Sequence, residues 1–198
     1  MQVAGTDPST STAPGDIKFK DLNNDGVIND LDRTNLGNSF PSFTYGFTNN
    51  FSYKGFELSV FIQGSQNNKV LNFTRWYTEG GVSNGNYSRD VLGRWTGEGT
   101  SNTVPRIIQN DPNQNNRVSD RFVENASYLR IKNLRVAYTF PVKWSKYAGI
   151  NKLQLYASSQ NLLTLTKYKG LDPEVGNGVD YGFYPQARTI LIGVNVDL

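Results

Sequence analysis

The sequence predicts an all-β chain: an antiparallel up-and-down sheet of about five strands, the C-terminal part of a transmembrane β-barrel, with long extracellular loops that carry short helices. Three observations lead there. The last segment, Arg188–Leu198, alternates with a period of two, placing Ile190, Ile192, Val194, Val196 and Leu198 on one face and Gly193, Asn195 and Asp197 on the other. Soluble domains rarely finish on such a strand, whereas a barrel's closing strand turns one face to lipid. The composition is that of a β protein, with 13% aromatic residues, 11 Tyr, 11 Phe and abundant Gly and Asn. Short and long connections alternate along the chain, as the periplasmic turns and extracellular loops of outer-membrane barrels do.

Met1–Pro14 is rich in Ser, Thr, Pro and Gly and reads as a linker or expression remnant, so the folded region is 15–198. Residues 42–64 form a hairpin. Phe43, Tyr45, Phe47, Phe51 and Tyr53 share a face broken only by Asn49, and Lys54-Gly55 supplies a two-residue turn. The returning strand places Phe56, Leu58, Val60 and Ile62 on one face and Glu57, Ser59 and Gln63 on the other. Residues 65–127 form a long extracellular loop with short helices expected around Asn68–Tyr77 and Tyr87–Trp95.

The last three strands and their loop occupy 128–198. In Tyr128–Phe140 the apolar phase slips between Leu129/Ile131 and Leu134/Val136/Tyr138/Phe140. Either a β-bulge or a strand leaving the membrane would produce that slip. Pro141–Asn151 is a short connection. Lys152–Leu165 is a strand with Leu153, Leu155, Ala157, Leu163 and Leu165 in phase, and Tyr168–Gln186 is a second long loop. This alternation puts Leu198 on the periplasmic side and Asp16–Asn38 outside the cell. The competing reading of the pattern is a soluble antiparallel sandwich with two decorated loops.

The residue inventory excludes several chemistries. With no Cys there are no disulfides and no thiol nucleophile, and with no His there is no Ser-His-Asp or Cys-His chemistry and no usual zinc ligand set. The net charge of +3 comes from scattered basic residues, which argues against nucleic-acid binding. The mean hydropathy of −0.52 and the lack of any run near the roughly 20 apolar residues of a membrane helix do not bear on strands that cross a bilayer. No signal peptide is evident at Met1, and a barrel strand without one leads to the expectation that the chain is a fragment of something longer.

One motif has metal chemistry. Asp21 to Asp32 matches an EF-hand-like calcium loop: Asp21, Asn23, Asp25, the Val27 carbonyl, Asn29 and Asp32 fall at loop positions 1, 3, 5, 7, 9 and 12. Gly26 occupies the sharp turn at position 6, and Ile28 can anchor the loop. Asp32 stands where EF-hands carry Glu; dockerin-like loops use Asp there. The expected cofactor is Ca²⁺ in a structural role; the alternative is a turn-rich loop held by Asx hydrogen bonds without metal. In the long loop, Trp76, Tyr77, Tyr87 and Trp95 accompany Arg75, Arg89, Arg94 and Arg106. They read either as a sugar- or peptide-contacting surface or as the loop's own small core. Asp172-Pro173-Glu174 reads as turn chemistry. Glu79, Glu98 and Glu124 show no spacing that implies a site.

Several stretches resemble the SusC/RagA family of TonB-dependent outer-membrane transporters of Bacteroidetes: Gly15-Asp16-Ile17-Lys18-Phe19-Lys20-Asp21-Leu22-Asn23, Arg121 to Leu134, Gln160-Asn161-Leu162-Leu163-Thr164, and Tyr168 to Val175. The resemblance runs over about Gly15–Leu198. It implies the last five strands of a barrel of about 22 strands with a plugged lumen, in the outer membrane of a Gram-negative cell. It departs at Leu198, where such barrels commonly end in Phe. The expectation is a non-enzymatic segment of a nutrient importer. Its implied partners are outer-membrane lipid, a SusD-like lipoprotein lid, an oligosaccharide or peptide cargo, and TonB, reached through an N-terminal part outside this sequence. The alternative is a secreted calcium-dependent glycan-binding or adhesion β-module.

Overall fold

A computed structural model describes residues 11–80 and 85–198, so most of the Met1–Pro14 linker lies outside the described residues. Two compact units form. One comprises residues up to Gly37 with Val70–Glu124 and Asn177–Gly182; the other comprises Asn38–Lys69, Asn125–Gly176 and Phe183–Leu198.

The second unit is built on a five-stranded antiparallel sheet in the order β1-β2-β5-β6-β8. Its strands are β1 (Phe43–Tyr53), β2 (Phe56–Gln66), β5 (Tyr128–Thr139), β6 (Lys152–Thr166) and β8 (Thr189–Asp197). The predicted hairpin closes as expected, with Lys54 at φ 47° and Gly55 at φ 90°. Two successive left-handed residues give the turn whose twist matches the flanking strands. Interleaved with these strands in chain order, β3 (Lys69–Asn72) pairs with β4 (Val123–Asn125) and β7 (Val179–Asp180) in a small second sheet.

Two helical expectations are corrected. The first four residues after Asn68 are strand, and α1 spans only Phe73–Glu79. The boundary is set by Asn72, whose side chain accepts from the Arg75 amide at 3.0 Å and so caps the helix. The Tyr87–Trp95 region contains one 3₁₀ turn, Arg89–Gly93, capped by Ser88. A further short helix, α2 (Val142–Ser145), lies in the Pro141–Asn151 connection. Among the described residues no helix is long and apolar enough to cross a membrane.

Register explains the phase slip in β5. Phe61 pairs with Asn133 but Ile62 with Ile131, so Lys132 is an extra residue. On the other side Asn133 pairs with Gln160 and Ile131 with Leu163, leaving Asn161 and Leu162 extra on β6. Asn161 takes φ 52° to make that bulge. The slip is therefore a bulge, and it returns Leu129 and Ile131 to the face of Leu134, Val136 and Tyr138.

The result is a face of continuous cross-strand rows. Tyr53, Phe56, Tyr138, Leu155 and Val194 form one; Phe51, Leu58, Val136, Ala157 and Ile192 form the next. Many side chains of this face are exposed: Phe47 at 60%, Ile190 at 67% and Ile192 at 78%. Ser159, a polar break in the face, is buried and donates to the Thr189 carbonyl at 2.9 Å. The opposite face is polar and carries Glu57, Arg135, Gln154 and Asn195. Two cross-strand pairs fit a tyrosine against a glycine. A Cβ on Gly64 would lie 2.5 Å from the Tyr45 ring, and one on Gly193 would lie 2.4 Å from that of Tyr156.

An apolar face this wide, left exposed among the described residues, calls for lipid. In the full-length receptor folded into vesicles, Ile192→Arg should cost about 2–4 kcal/mol in urea unfolding, and Asn195→Arg distinctly less. Equal costs at the two positions would mean that the sheet does not divide lipid from a polar interior.

Candidate functional site

The Asp21–Asp32 loop folds as a set of side-chain-to-amide bonds. Asp21 accepts from the Asn24 and Gly26 amides at 2.6 and 2.8 Å. Asp25 accepts from the Val27 amide at 2.8 Å and from the Asn23 side-chain amide at 2.9 Å. Asp32 accepts from the Leu22 and Asn29 amides at 2.7 and 2.8 Å, and the Asn29 side chain caps Asp30–Asp32 through the Leu31 amide. Those amides of Asn29 and Leu22 hold the Asp32 carboxyl below the usual carboxylate range, with Asp21 within hydrogen-bonding reach. Gly26, at φ 82°, supplies the sharp turn that position 6 requires. Among the described residues, no three acidic, His or Cys side chains are already gathered as a metal cage.

The four aromatic residues do not converge. Trp95 lines a cavity of about 630 Å³ with Lys18, Thr103, Asp120 and Arg121. Gly15, at φ 92°, lies flat on the Trp95 ring, where any Cβ would be 2.3 Å from ring carbon. Tyr87 lines a different cavity, of about 460 Å³, with Arg89, Leu92 and Arg94. Trp76 stacks on Phe73 with centroids 4.7 Å apart and gives its indole N–H to the Asn116 carbonyl. Tyr77 is half exposed on α1. Trp76 thus serves the loop's internal packing, while Trp95 and Tyr87 face separate cavities.

Sequence reading missed the charged clamps. In the first unit, Arg75 donates to Glu79 at 2.8 Å and also pairs with Glu124, while Arg121 reaches Glu79 at 3.4 Å. Hydrogen bonding to Glu79 raises the Arg75 pKa, although burial opposes it. The i, i+4 spacing of Arg75 and Glu79 on a helix was the available signal. In the same unit Arg106 holds Asp16 at 2.7 Å. Burial would raise the Asp16 carboxyl, but Arg106, the Ala13 amide and Asn115 together lower it.

In the second unit Arg130, on β5 and only 2% exposed, donates to Asp172 at 2.6 Å and Glu174 at 2.9 Å. Its Nε also donates to the Thr164 hydroxyl at 2.8 Å. Asp172 makes the expected Asx turn with the Glu174 amide at 2.9 Å, and accepts from Gln186 at 3.1 Å. Asp172-Pro173-Glu174 is therefore both a turn and a two-carboxylate clamp that pins the Tyr168–Gln186 loop to the wall. Lower on the same face, Gln154 is buried and links Glu57, Thr139, Arg135 and Asn195 across four strands at 3.0–3.3 Å.

A sheet with one bare apolar face, one hydrogen-bonded polar face and loops clamped by buried ion pairs defines a segment of a transmembrane β-barrel wall. No catalogued protein-family profile matches the chain. Among curated proteins, TonB-dependent receptor P3 of Formosa agariphila is 36% identical over 95% of this chain and 19% of its own length. TonB-dependent receptor SusC of Bacteroides thetaiotaomicron is 32% identical over 92% of the chain and 18% of its own length. Among solved structures, the RagAB peptide importer in the open-open state aligns with a TM-score of 0.67 and 31% identity, over 81% of this chain and 17% of that one. The chain belongs to the SusC/RagA-type TonB-dependent receptors and spans about a fifth of the length of the curated relatives it matches. It is a receptor segment and not an enzyme.

The Arg130 clamp gives a pH-dependent prediction. Burial alone would raise the Asp172 carboxyl, but the Glu174 and Gln186 amides and Arg130 outweigh it and hold it low. A carboxyl that titrates below its unfolded value of about 3.9 stabilises the fold above that pH and loses its effect as the pH falls through the native value. Amide protection factors in the Tyr168–Gln186 loop should therefore be high at neutral pH and fall steeply on acidification below about pH 4. Arg130→Met should free the loop already at neutral pH and cost about 3–5 kcal/mol, because it leaves Asp172 buried and unpaired.

Proposed function

We propose that this chain forms part of the wall and the extracellular loops of an outer-membrane importer that takes up oligosaccharides or peptides. On this reading a SusD-like lipoprotein lids the barrel outside, and TonB, acting through parts of the receptor beyond this sequence, supplies the energy. The observation that carries the proposal is the register: five strands keep an apolar face outward and a hydrogen-bonded polar face inward through a double bulge. Two relatives support the reading as an importer, a TonB-dependent receptor named SusC and the RagAB peptide importer. The chain recognises and passes cargo without bond-making chemistry. In cells given labelled oligosaccharide or peptide pools, deleting the gene for the full-length receptor should abolish uptake of one pool. Deleting TonB should do the same. Undiminished uptake of both pools in either strain would overturn the proposal.

We also infer that Asp21, Asn23, Asp25, the Val27 carbonyl, Asn29 and Asp32 hold a structural Ca²⁺. The donor set is all oxygen, as a hard cation requires. The loop already has its left-handed Gly26, and Asp21 and Asp32 approach one another from its two ends. A carboxylate oxygen that accepts one amide retains a second lone pair. The ion would order Asp16–Asn38. Calorimetry on the full-length receptor should show binding that Asp25→Ala weakens at least about tenfold. An absence of binding at millimolar Ca²⁺, the weak limit for extracellular modules, would remove the ion from this loop.

A further inference from the structure

The two ends of the five-stranded sheet differ in charge. At the end with short connections, the Thr139 amide donates to the Gly55 carbonyl at 2.8 Å, the Phe140 amide to Leu153 at 2.9 Å and the Asn151 amide to Asp197 at 2.8 Å. The Lys54-Gly55 turn, the α2 connection, the start of β6 and the end of β8 therefore share one rim. Ring contacts run along it without a break: Phe56 to Tyr138 at 4.4 Å, Tyr138 to Phe140 at 5.0 Å and Phe140 to Trp144 at 6.2 Å. Beyond them Trp144 is 64% exposed and Tyr147 is 99% exposed.

The same rim is basic. Lys54, Lys143, Lys146 and Lys152 are all exposed, and Lys54 Nζ stands 5.1 Å from the Tyr53 ring centroid. The Pro141–Asn151 connection contains no Asp or Glu. Asp197, opposite Lys152 in register and on the same polar face, is the acidic side chain at this rim among the described residues, since Glu57 is turned to Arg135 and Gln154. The other end of the sheet mixes signs, with Lys167 and Lys169 beside Asp172 and Glu174.

Large apolar side chains this exposed, beside a cluster of lysines, fit a boundary where hydrocarbon meets fixed negative charge. We propose that the short-connection rim binds the headgroups of anionic phospholipids in the membrane leaflet on its side. Trp144 and Tyr147 seat at the depth of the headgroups, and Lys54, Lys143 and Lys146 take the lipid phosphates, while Lys152 lies on the polar face opposite Asp197. A lysine ammonium is a compact point charge that needs no fixed approach angle, which suits fluid lipid better than one shaped pocket. Zwitterionic lipid carries its own ammonium, so net attraction is reserved for anionic lipid. The proposal rests on the membrane-wall reading given under the proposed function.

The test uses the full-length receptor in phosphatidylcholine vesicles doped with either brominated phosphatidylglycerol or brominated phosphatidylcholine. Trp144 emission is read as the difference between the receptor and its Trp144→Phe variant. Brominated phosphatidylglycerol should quench Trp144 at least about threefold more than brominated phosphatidylcholine at the same mole fraction. That preference should vanish when Lys54, Lys143 and Lys146 are changed together to Gln. It should also vanish near 1 M salt, where the screening length is about 3 Å. Unchanged quenching by brominated phosphatidylcholine in the Gln variant establishes that it still inserts. Equal quenching of the unaltered receptor by both lipids would overturn the proposal and leave the basic rim to an acidic soluble partner. Quenching by neither lipid would instead overturn the membrane-wall reading itself.

Discussion

An apolar outer face can be continuous across five strands only if each strand keeps its alternation in step with its neighbours. A single inserted residue reverses the facing of everything beyond it. In this chain β5 gains one residue at Lys132, and β6 answers at the same level with Asn161 and Leu162. One extra residue on β5 returns the apolar set to the outer face, and two on β6 leave its parity intact. Had β6 gained only one, Leu163 and Leu165 would point inward and Thr164 outward. The matched bulges keep the hydrocarbon-facing rows whole, and the wall that holds the loops depends on those rows.

The loops are held differently. The buried residues include few large apolar side chains besides Val70, Phe122 and Tyr168, and many polar ones, among them Asn72, Glu79, Asn113, Asn115, Asp172 and Asp180. Arginine forks take the place of an oily core: Arg75 between Glu79 and Glu124, Arg106 on Asp16, Arg130 between Asp172 and Glu174. Such pairs add little net stability over apolar packing, yet they are unforgiving of the wrong partner. That suits loops that must keep one arrangement while presenting a polar surface.

The strands were legible because alternation is a local property written every second residue. The hairpin turn was legible for the same reason, and the bulge showed itself as a broken period. What could not be read joins residues far apart. Arg106 and Asp16 lie 90 positions apart, and Arg130 and Asp172 lie 42 apart. No local rule distinguishes these arginines from the exposed ones. Asp172-Pro173-Glu174 was legible as a turn but not as a clamp, since the turn uses only neighbours. The short helix expected around Asn68–Tyr77 forms but starts later, at Phe73, because Asn72 caps it, a role that spacing alone does not show. The aromatic residues were legible as a loop feature, but which of them face solvent-filled space depends on the fold of the whole loop.

The tyrosine–glycine pairs have an evolutionary consequence. Tyr156 lies across Gly193 on the next strand, with the Arg135 guanidinium 4.9 Å from the ring centroid. The glycine is small because the phenol fills its place, so the two positions share one volume. A side chain gained at Gly193 has room only once the tyrosine has gone, and a tyrosine lost first leaves a gap that glycine cannot fill. Among descendants of this sequence the two sites should drift as a couple, each change making its counterpart tolerable, although 37 residues of chain separate them.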